Sequence, residues 1–194
     1  MKNILFSLVF SVMMCGIGYG QTTWIIDPAH SSIQFEVPHM TVSSVTGSFT
    51  SYAGTFTSKG KQDFEGAKII TTIEVNSITT NNMERDKNLK DEDFFNAAKY
   101  PEIKFESTSF TKTSGNHYKI TGNLTIKGVT KEITLMAEFG GIISINNRQK
   151  AGFKATGTIN RFNYGLQWND VLDNGGLIVG EKVDIIINAE LIKQ

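Results

Sequence analysis

Apolar and polar side chains alternate along most of this chain, and that period of two limits its fold more than any other feature. The clearest run is residues 117–127, where Tyr118, Ile120 and Leu124 alternate with polar residues. The same pattern recurs in residues 31–37, 69–75, 103–105, 133–139, 153–159 and 183–191. A period of two puts apolar side chains on one face of a β-strand and polar side chains on the other, as in antiparallel sheets. The sequence therefore predicts an all-β chain.

Turn residues separate these runs. Lys127-Gly128 divides two of them and Asn146-Asn147 divides two others, which is typical of β-hairpins. Strands linked in this way form either a sandwich or a closed barrel. Because a closed barrel leaves no exposed strand edges, we predict an antiparallel eight-stranded β-barrel.

Residues 78–100 interrupt the alternation. Asn81 followed by Glu84 resembles a helix-capping pair, and the residues that follow have ordinary helical composition. Tyr100-Pro101 ends this stretch, because the residue before a proline rarely continues a helix. We predict a short helical insertion between two strands, placed across one end of the barrel.

The first 20 residues have the composition of a secretory signal peptide. Lys2 precedes an apolar run from Ile4 to Met14, and Gly18-Tyr19-Gly20 supplies small residues for cleavage before Gln21. We expect residues 1–20 to be removed and residues 21–194 to form a barrel domain that is periplasmic or secreted. Cys15, the only cysteine, offers the less favoured alternative of a lipid anchor.

The charge of the chain is balanced, with 19 Lys and Arg against 19 Asp and Glu. Proteins that bind nucleic acid normally present a basic face, so no nucleic-acid partner is predicted. No polybasic segment for anionic lipid surfaces is present in the sequence either.

Small residues recur on the inward faces of the predicted strands. They are Ser107, Gly122, Ala137, Ala155, Gly157 and Ala189. An eight-stranded barrel is just wide enough to be filled by side chains or to hold one small ligand, and small inward residues favour a cavity. The alternative is that the glycines mark bends and neighbouring aromatic side chains fill the space.

Few residues form patterns that carry catalysis or bind metal. The histidines His30, His39 and His117 lack the spacing of zinc ligands, so neither a metal nor another cofactor is predicted. Asp27, His30 and Ser31 have the residue types of a hydrolytic triad, but triads are defined by spatial geometry. The alternative is that His30 and Ser31 satisfy backbone groups where a strand begins, and we predict no enzymatic activity.

The sequence leaves two possible roles for each of two arginines, Arg161 and Arg85. Arg161 follows a predicted strand and is either a hydrogen-bond donor at the mouth of the barrel or a member of an ion pair. Arg85 and Asp86 either pair across the helical insertion or pair with the sheet.

A series of motifs along the chain resembles the YceI-like family. The motifs are residues 24–39, 45–49, 54–56, 85–95, 100–105, 122–131, 159–165 and 179–183. No single motif is decisive, but their order and spacing are specific, and together they cover nearly all of residues 21–194. Members of this family have a lipocalin-like barrel and bind polyisoprenoids or related lipids.

The resemblance implies a lipid-binding protein that holds a polyisoprenoid or a similar long apolar ligand, such as a quinone or a fatty-acid derivative, inside the barrel for carriage or storage. The apolar residues expected to line its interior are Ile33, Phe35, Phe49, Ile73, Phe94, Phe95, Phe105, Ile120, Leu124, Leu135, Phe153 and Phe162. The polar residues expected to contact the head group are His30, His39, Arg85, Asn88 and Arg161. Asn88 stands where the family usually has a histidine, so that contact is weakened here or passes to the Asn88 amide.

Three other functions fit the same pattern. The first is an isoprenoid- or quinone-handling accessory that presents its ligand to a membrane partner, and it requires an exposed apolar patch around the mouth. The second is an enzyme that acts on a lipid, which requires His30 or another titratable group beside a nucleophile in the cavity. The third is a solid barrel that serves as a binding module. A transient membrane contact and an oligomer are both compatible with the sequence.

Overall fold

The computed structural model describes residues 20–59, 63–168, 170 and 177–194. Most of the predicted signal peptide, residues 1–19, therefore lies outside the described residues, and the expectation of cleavage stays a prediction. The strands are β1 (Thr22–Ile26), β2 (Ser32–His39), β3 (Ser43–Phe49), β4 (Tyr52–Ser58), β5 (Lys68–Glu74), β6 (Ile78–Thr79), β7 (Glu102–Ser114), β8 (His117–Ile126), β9 (Val129–Ile145), β10 (Arg148–Asn160) and β11 (Lys182–Lys193). One α-helix, α1 (Met83–Lys90), lies between β6 and β7.

These strands form a closed antiparallel barrel with eight strand positions. Around the ring, β1 pairs with β4, and β5, β7, β8, β9, β10 and β11 follow in order until β11 pairs again with β1. Strand β2 continues β1 along the same edge of β11, and β3 pairs with β2 as β4 pairs with β1. The predicted fold class is confirmed.

The predicted hairpin turns are present. Lys127 and Gly128 both have positive φ, of 50° and 75°, and Asn146 and Asn147 have φ of 50° and 62°. Positive φ at both central residues is the requirement of a type I′ turn, whose twist matches that of the flanking strands. Glycine and asparagine tolerate this conformation better than other residues.

The helical insertion is present, but its cap differs from the predicted one. The residue before the first turn of α1 is Asn82, whose side chain accepts a hydrogen bond from the Arg85 backbone N–H at 3.0 Å. Asn81, the predicted cap, has a φ of 59° and lies in the preceding turn. No residue of α1 is buried. Among the described residues, none of the helices has both the length and the apolar character needed to span a bilayer.

One half of the barrel is filled by seven aromatic side chains that we call the aromatic plug. They are Trp24, Phe56, Phe64, Phe110, Tyr118, Phe139 and Phe153. Phe64 comes from the segment between β4 and β5 and meets Phe153 edge-on at 4.8 Å between ring centroids. Rings at this separation and orientation attract each other beyond the burial of their surface. This half of the barrel is therefore solid.

The small inward residues have a different role from the predicted one, because none of the six borders the cavity described below. A Cβ atom added to Gly122 would lie 2.5 Å from Cζ of Phe105, and one added to Gly157 would lie 2.6 Å from Cδ2 of Leu135. The glycines thus let large neighbouring side chains lie flat against the wall of the barrel. The barrel does contain a cavity, as predicted, but these six residues do not line it, and an aromatic neighbour covers Gly122 as the alternative expected.

Candidate ligand site

The other half of the barrel is hollow. It contains a cavity of about 170 Å³, which we call the chamber. Its walls come from β2, β3, β5, β7, β8, β9, β10 and β11, from α1 and the segment after it, and from the segment between β10 and β11. The polar side chains that reach it are Gln34, Thr71 and Arg161, and the other lining residues are apolar.

Most of the predicted lining residues border the chamber. They are Ile33, Phe35, Phe49, Ile73, Phe94, Phe95, Phe105, Leu124 and Leu135. Phe49 meets Phe95 edge-on at 6.2 Å between ring centroids, so the segment after α1 closes over the strand wall. Whether these residues contact a ligand remains a prediction.

Three predicted lining residues lie elsewhere. Phe153 belongs to the aromatic plug, and Ile120 is buried between Phe110 and Leu135 of the neighbouring strands. Phe162 lies in a short 3₁₀ helix, Arg161–Tyr164, where its ring packs under the guanidinium of Arg161 at 4.3 Å, and it borders neither cavity. Alternation gives the face to which Ile120 and Phe153 point, but not their depth along the barrel axis, and depth separates them from the chamber.

Arg161 is 3% exposed and borders the chamber without an ion pair among the described residues. Its Nε donates to the Gly180 carbonyl at 2.9 Å, and Nη2 donates to the Val179 carbonyl at 3.0 Å. Nη1 donates to the carbonyls of Leu166 and Trp168 at 2.6 and 2.7 Å. Burial lowers the pKa of this guanidinium. Of the two predicted roles, donor and ion pair, the structure supports the donor, and the acceptors are backbone carbonyls that it ties together.

A second, wider cavity of about 500 Å³ adjoins the chamber, and we call it the antechamber. The two share Phe35, Val37, Leu89, Phe94 and Val179 in their walls. The antechamber is polar on one side, where His39, Thr80, Arg85, Asn88, Asp91 and Asp93 lie. The structure thus brings three of the predicted head-group residues, His39, Arg85 and Asn88, to one opening.

A hydrogen-bond network anchors Arg85 in the antechamber. Its Nε donates to the Thr80 hydroxyl at 2.8 Å and its Nη2 to the Thr80 carbonyl at 3.0 Å. The Thr80 hydroxyl and backbone N–H both donate to Asp86 Oδ1, at 2.6 and 2.7 Å. Burial acts to raise the pKa of Asp86, but hydrogen bonds from Thr80 and Thr79 outweigh it and hold that pKa below its usual range. Arg85 and Asp86 therefore both bind Thr80, and they do not pair with each other.

The opening exists because the barrel wall changes character at this end. Strand β3 is paired along its whole length with β2, but its other edge pairs with β6 only at Ser48 and Phe49. Beyond β6 the chain leaves the sheet, and α1 with residues 91–100 stands where a strand would continue. Val45 of β3 and Leu89 of α1 consequently border the same antechamber.

Comparison with known proteins identifies the family. A family model described as YceI-like domain matches residues 24–191. The chain belongs to the YceI-like domain family. UPF0312 protein SA2479 of Staphylococcus aureus is 39% identical to it over 171 residues, which cover 87% of this chain and 96% of that one. The resemblance seen in the motifs is confirmed.

Two solved structures share the fold of this YceI-like protein. Burkholderia cenocepacia BcnA has a TM-score of 0.70 at 23% identity, covering 85% of this chain and 98% of its own. A polyisoprenoid binding domain from Saccharophagus degradans, implicated in plant cell wall breakdown, has a TM-score of 0.61 at 15% identity, covering 87% and 97%. At these identities the likeness supports the fold alone.

The remaining predicted contact, His30, lies outside both cavities of this YceI-like protein. Its Nδ1 is 2.9 Å from Asp27 Oδ2 and 3.7 Å from Glu190 Oε1, and Lys150 Nζ lies 2.5 Å from the same Glu190 oxygen. The hydrogen bond from His30 is the largest influence that lowers the pKa of Asp27. Although Asp27, His30 and Glu190 could converge on a metal ion, the Lys150 ammonium already supplies a cation beside both carboxylates.

Ser31 does not complete a triad with these groups. Its hydroxyl donates to the Glu190 carbonyl at 3.3 Å and accepts from the Glu190 backbone N–H at 2.9 Å. Ser31 therefore supplies side-chain hydrogen bonds to the β11 backbone at the point where the strand paired with β11 changes from β1 to β2. The reading in which His30 and Ser31 serve a strand entry fits this geometry.

Several cavity residues were not predicted from the sequence. Leu166 and Val179 come from irregular segments without alternation, and Val183, Ile185 and Ile187 of β11 carry the period-two signal but were not selected. Thr80, whose hydroxyl organises Arg85 and Asp86, gives no sequence signal of its own. The β11 residues were within reach of sequence reasoning, whereas the loop residues were not.

Proposed function

We propose that this protein binds a long apolar molecule of the polyisoprenoid class, or a similar lipid, with one apolar end in the chamber and its head group in the antechamber. The observation that carries the proposal is the junction of an almost wholly apolar chamber with a polar opening. Ligand sites commonly combine apolar walls with a few convergent polar groups. A solved polyisoprenoid binding domain has the same fold, and it is the reason that we propose this ligand class among apolar molecules.

The chamber is costly to leave empty. At about 24 cal/mol per Å³, a void of this size costs a folded protein roughly 4 kcal/mol. An apolar ligand offsets this cost by restoring the missing contacts, and each methylene that leaves water contributes about 0.8 kcal/mol. In the other half of the barrel, the rings of the aromatic plug fill the interior, in contrast to the open chamber.

The size of the chamber sets how the ligand lies. An engineered cavity of about 150 Å³ holds one benzene molecule, and the chamber is of similar volume at about 170 Å³. It therefore accepts a short stretch of chain, and the remainder of a long ligand passes through the antechamber. The aromatic plug limits entry from the opposite end.

The proposed role is binding, not catalysis. The titratable groups that border the antechamber are His39, Arg85, Asp91 and Asp93, and no serine or cysteine borders either cavity among the described residues. We further propose that the protein acts in the periplasm or outside the cell after residues 1–20 are removed, where it carries or stores its ligand.

Native mass spectrometry of the purified protein, followed by solvent extraction, tests this function. We expect an adduct that leaves on extraction and proves to be an apolar lipid. Val183→Trp, which places an indole in the chamber wall, should abolish the adduct. Ile70→Trp, on the half-exposed outer face of β5, is the matched control and should retain it. The absence of any adduct, together with failure of the extracted protein to take up a prenyl alcohol from detergent micelles, would refute the proposal.

A further inference from the structure

Large apolar side chains stand exposed around the mouth of the antechamber. Val42 and Met83 are 85% and 89% exposed, the two highest values among the large hydrophobic residues that the structure describes. Met40 and Trp168 are 40% and 37% exposed. Met40 and Val42 follow the antechamber residue His39, Met83 lies between Thr80 and Arg85, and Trp168 borders the antechamber itself. We call these four residues the mouth rim.

The turn that presents part of the mouth rim is conformationally unfavourable. Val42 N–H donates to the His39 carbonyl at 3.3 Å, so Met40 and Thr41 are the central residues of a tight turn, with φ of 52° and 61°. Positive φ is rare for such residues and marks an outlier for a β-branched one like Thr41. The other tight hairpins use Gly115-Asn116, Lys127-Gly128 and Asn146-Asn147. Only the turn at the mouth, among those described, places apolar and β-branched residues there.

The charges near the mouth rim are negative in sum, with three basic residues against five acidic ones. Arg85, Lys87 and Lys90 of α1 stand against Glu84 and Asp86 of the same helix, and the exposed residues Asp91, Glu92 and Asp93 follow it. No excess of positive charge is present to attract anionic lipid. Contact at this surface must therefore depend on apolar insertion, and salt has no electrostatic attraction to screen.

We propose that the mouth rim inserts into the surface of a phospholipid bilayer, so that the antechamber opens toward the membrane. This inference rests on the proposed function, since an apolar chain has negligible solubility in water and must enter from, or leave to, a membrane. The site continues directly into the cavity that the ligand would occupy. Insertion of apolar tips, including a tryptophan at the interface, follows the way in which interfacial proteins contact lipid.

A bilayer fits this surface better than a folded partner. Val42 comes from a hairpin turn and Met83 is the first residue of a helix, so the two tips belong to separate elements. Separate protruding tips around a hole form no continuous face on which a protein or a second copy could pack, and a fluid surface needs none.

Tryptophan fluorescence provides the test, because the chain has two tryptophans. Trp24 is buried in the aromatic plug and serves as a constant background, whereas Trp168 lies on the mouth rim. Vesicles of phosphatidylcholine should shift the emission to shorter wavelength, and lipid brominated on its acyl chains should quench the Trp168 signal. Added salt should change the affinity for phosphatidylcholine less than threefold, and phosphatidylglycerol should not strengthen binding.

Substitutions then separate this surface from the rest of the barrel. The double variant Val42→Ser, Met83→Ser should weaken vesicle binding by at least tenfold. The control Met136→Ser, Ile143→Ser alters two exposed residues of β9 that border neither cavity, and it should bind as the natural sequence does. Equal binding by all three proteins would overturn the proposal. Self-association in sedimentation experiments without lipid, if lost in the mouth variant, would also overturn it in favour of a second copy.

Failure of this inference is distinguishable from failure of the proposed function. Uptake of a prenyl alcohol from detergent micelles requires the chamber but no bilayer. If the protein takes up the alcohol from micelles but does not bind vesicles, the proposed membrane contact is refuted and the proposed ligand site is supported. If it binds vesicles but takes up nothing, the ligand site is wrong.

Discussion

At the scale of single residues, Arg161 joins segments of the chain that no strand ladder connects. Its guanidinium donates to four carbonyls, of Leu166, Trp168, Val179 and Gly180. Arg161→Met should lower the free energy of unfolding by about 3 kcal/mol, because each buried group left unsatisfied costs about 1–3 kcal/mol. Arg161→Lys should recover only part of the lost stability, since an ammonium cannot reproduce the planar arrangement of guanidinium donors. Urea denaturation measures both, with the exposed Arg148→Met as a control expected to change stability by less than about 0.5 kcal/mol. A change in Arg161→Met as small as the control would contradict this role.

Gly122 offers a test of side-chain packing at a single residue. An added Cβ would lie 2.5 Å from Cζ of Phe105 and 2.6 Å from the Glu106 carbonyl oxygen. Because the second contact is with backbone and cannot rotate away, Gly122→Ala should destabilise the protein by about 1–3 kcal/mol. Gly152→Ala is the matched control, since nothing lies within 4 Å of its added Cβ. Thermal unfolding compares the two, and equal Tm values would show that Phe105 does not lie against the wall as described.

At the scale of elements, α1 buries no residue and depends on the contact between Asp86 and Thr80. The folded pKa of Asp86 lies below its ordinary value of 3.8. Such a carboxylate contributes stability above the unfolded pKa and loses it as pH falls through the folded pKa. Hydrogen exchange of α1 amides, corrected for intrinsic rates, should therefore show falling protection below about pH 4. In Asp86→Asn the protection should be lower near neutral pH and independent of pH in this range. A pH dependence that survives in Asp86→Asn would assign the effect to another carboxylate.

The elements also show what the sequence can and cannot predict. Strands and type I′ turns follow from side-chain direction and turn chemistry, so the strand at residues 117–127 and the turn at Lys127-Gly128 could be predicted. Phe105 and Phe153 have the same alternating pattern, yet one borders the chamber and the other fills the plug. That difference depends on depth along the axis and on Phe64, which a loop delivers to the plug without any periodic signal. The predicted helix cap was Asn81, and the observed one is Asn82. Both are asparagines, and only the backbone conformation distinguishes them.

At the scale of the whole molecule, the barrel divides into a solid half and a hollow half that share the same strands. The long strands β7 and β8 run from the chamber, at Phe105 and Leu124, to the plug, at Phe110 and Tyr118. Rings in contact stabilise the plug without a ligand, whereas the chamber has no such filling. Local stability follows the density of apolar contacts, so the two halves should respond differently when the ligand is removed.

Removal of the ligand should therefore loosen one half of the barrel. A ligand present at 100 times its Kd adds about 2.7 kcal/mol to stability, and extraction should lower Tm accordingly. Hydrogen exchange should accelerate in β2 and in α1, which border the chamber and the antechamber, while amides of β7 and β8 near Gly115, beside the plug, should keep their rates. Refilling with a prenyl alcohol should restore protection in β2 and α1. Because a ligand bound to the outer wall would protect no chamber strand preferentially, uniform changes across both halves would place the ligand outside the chamber.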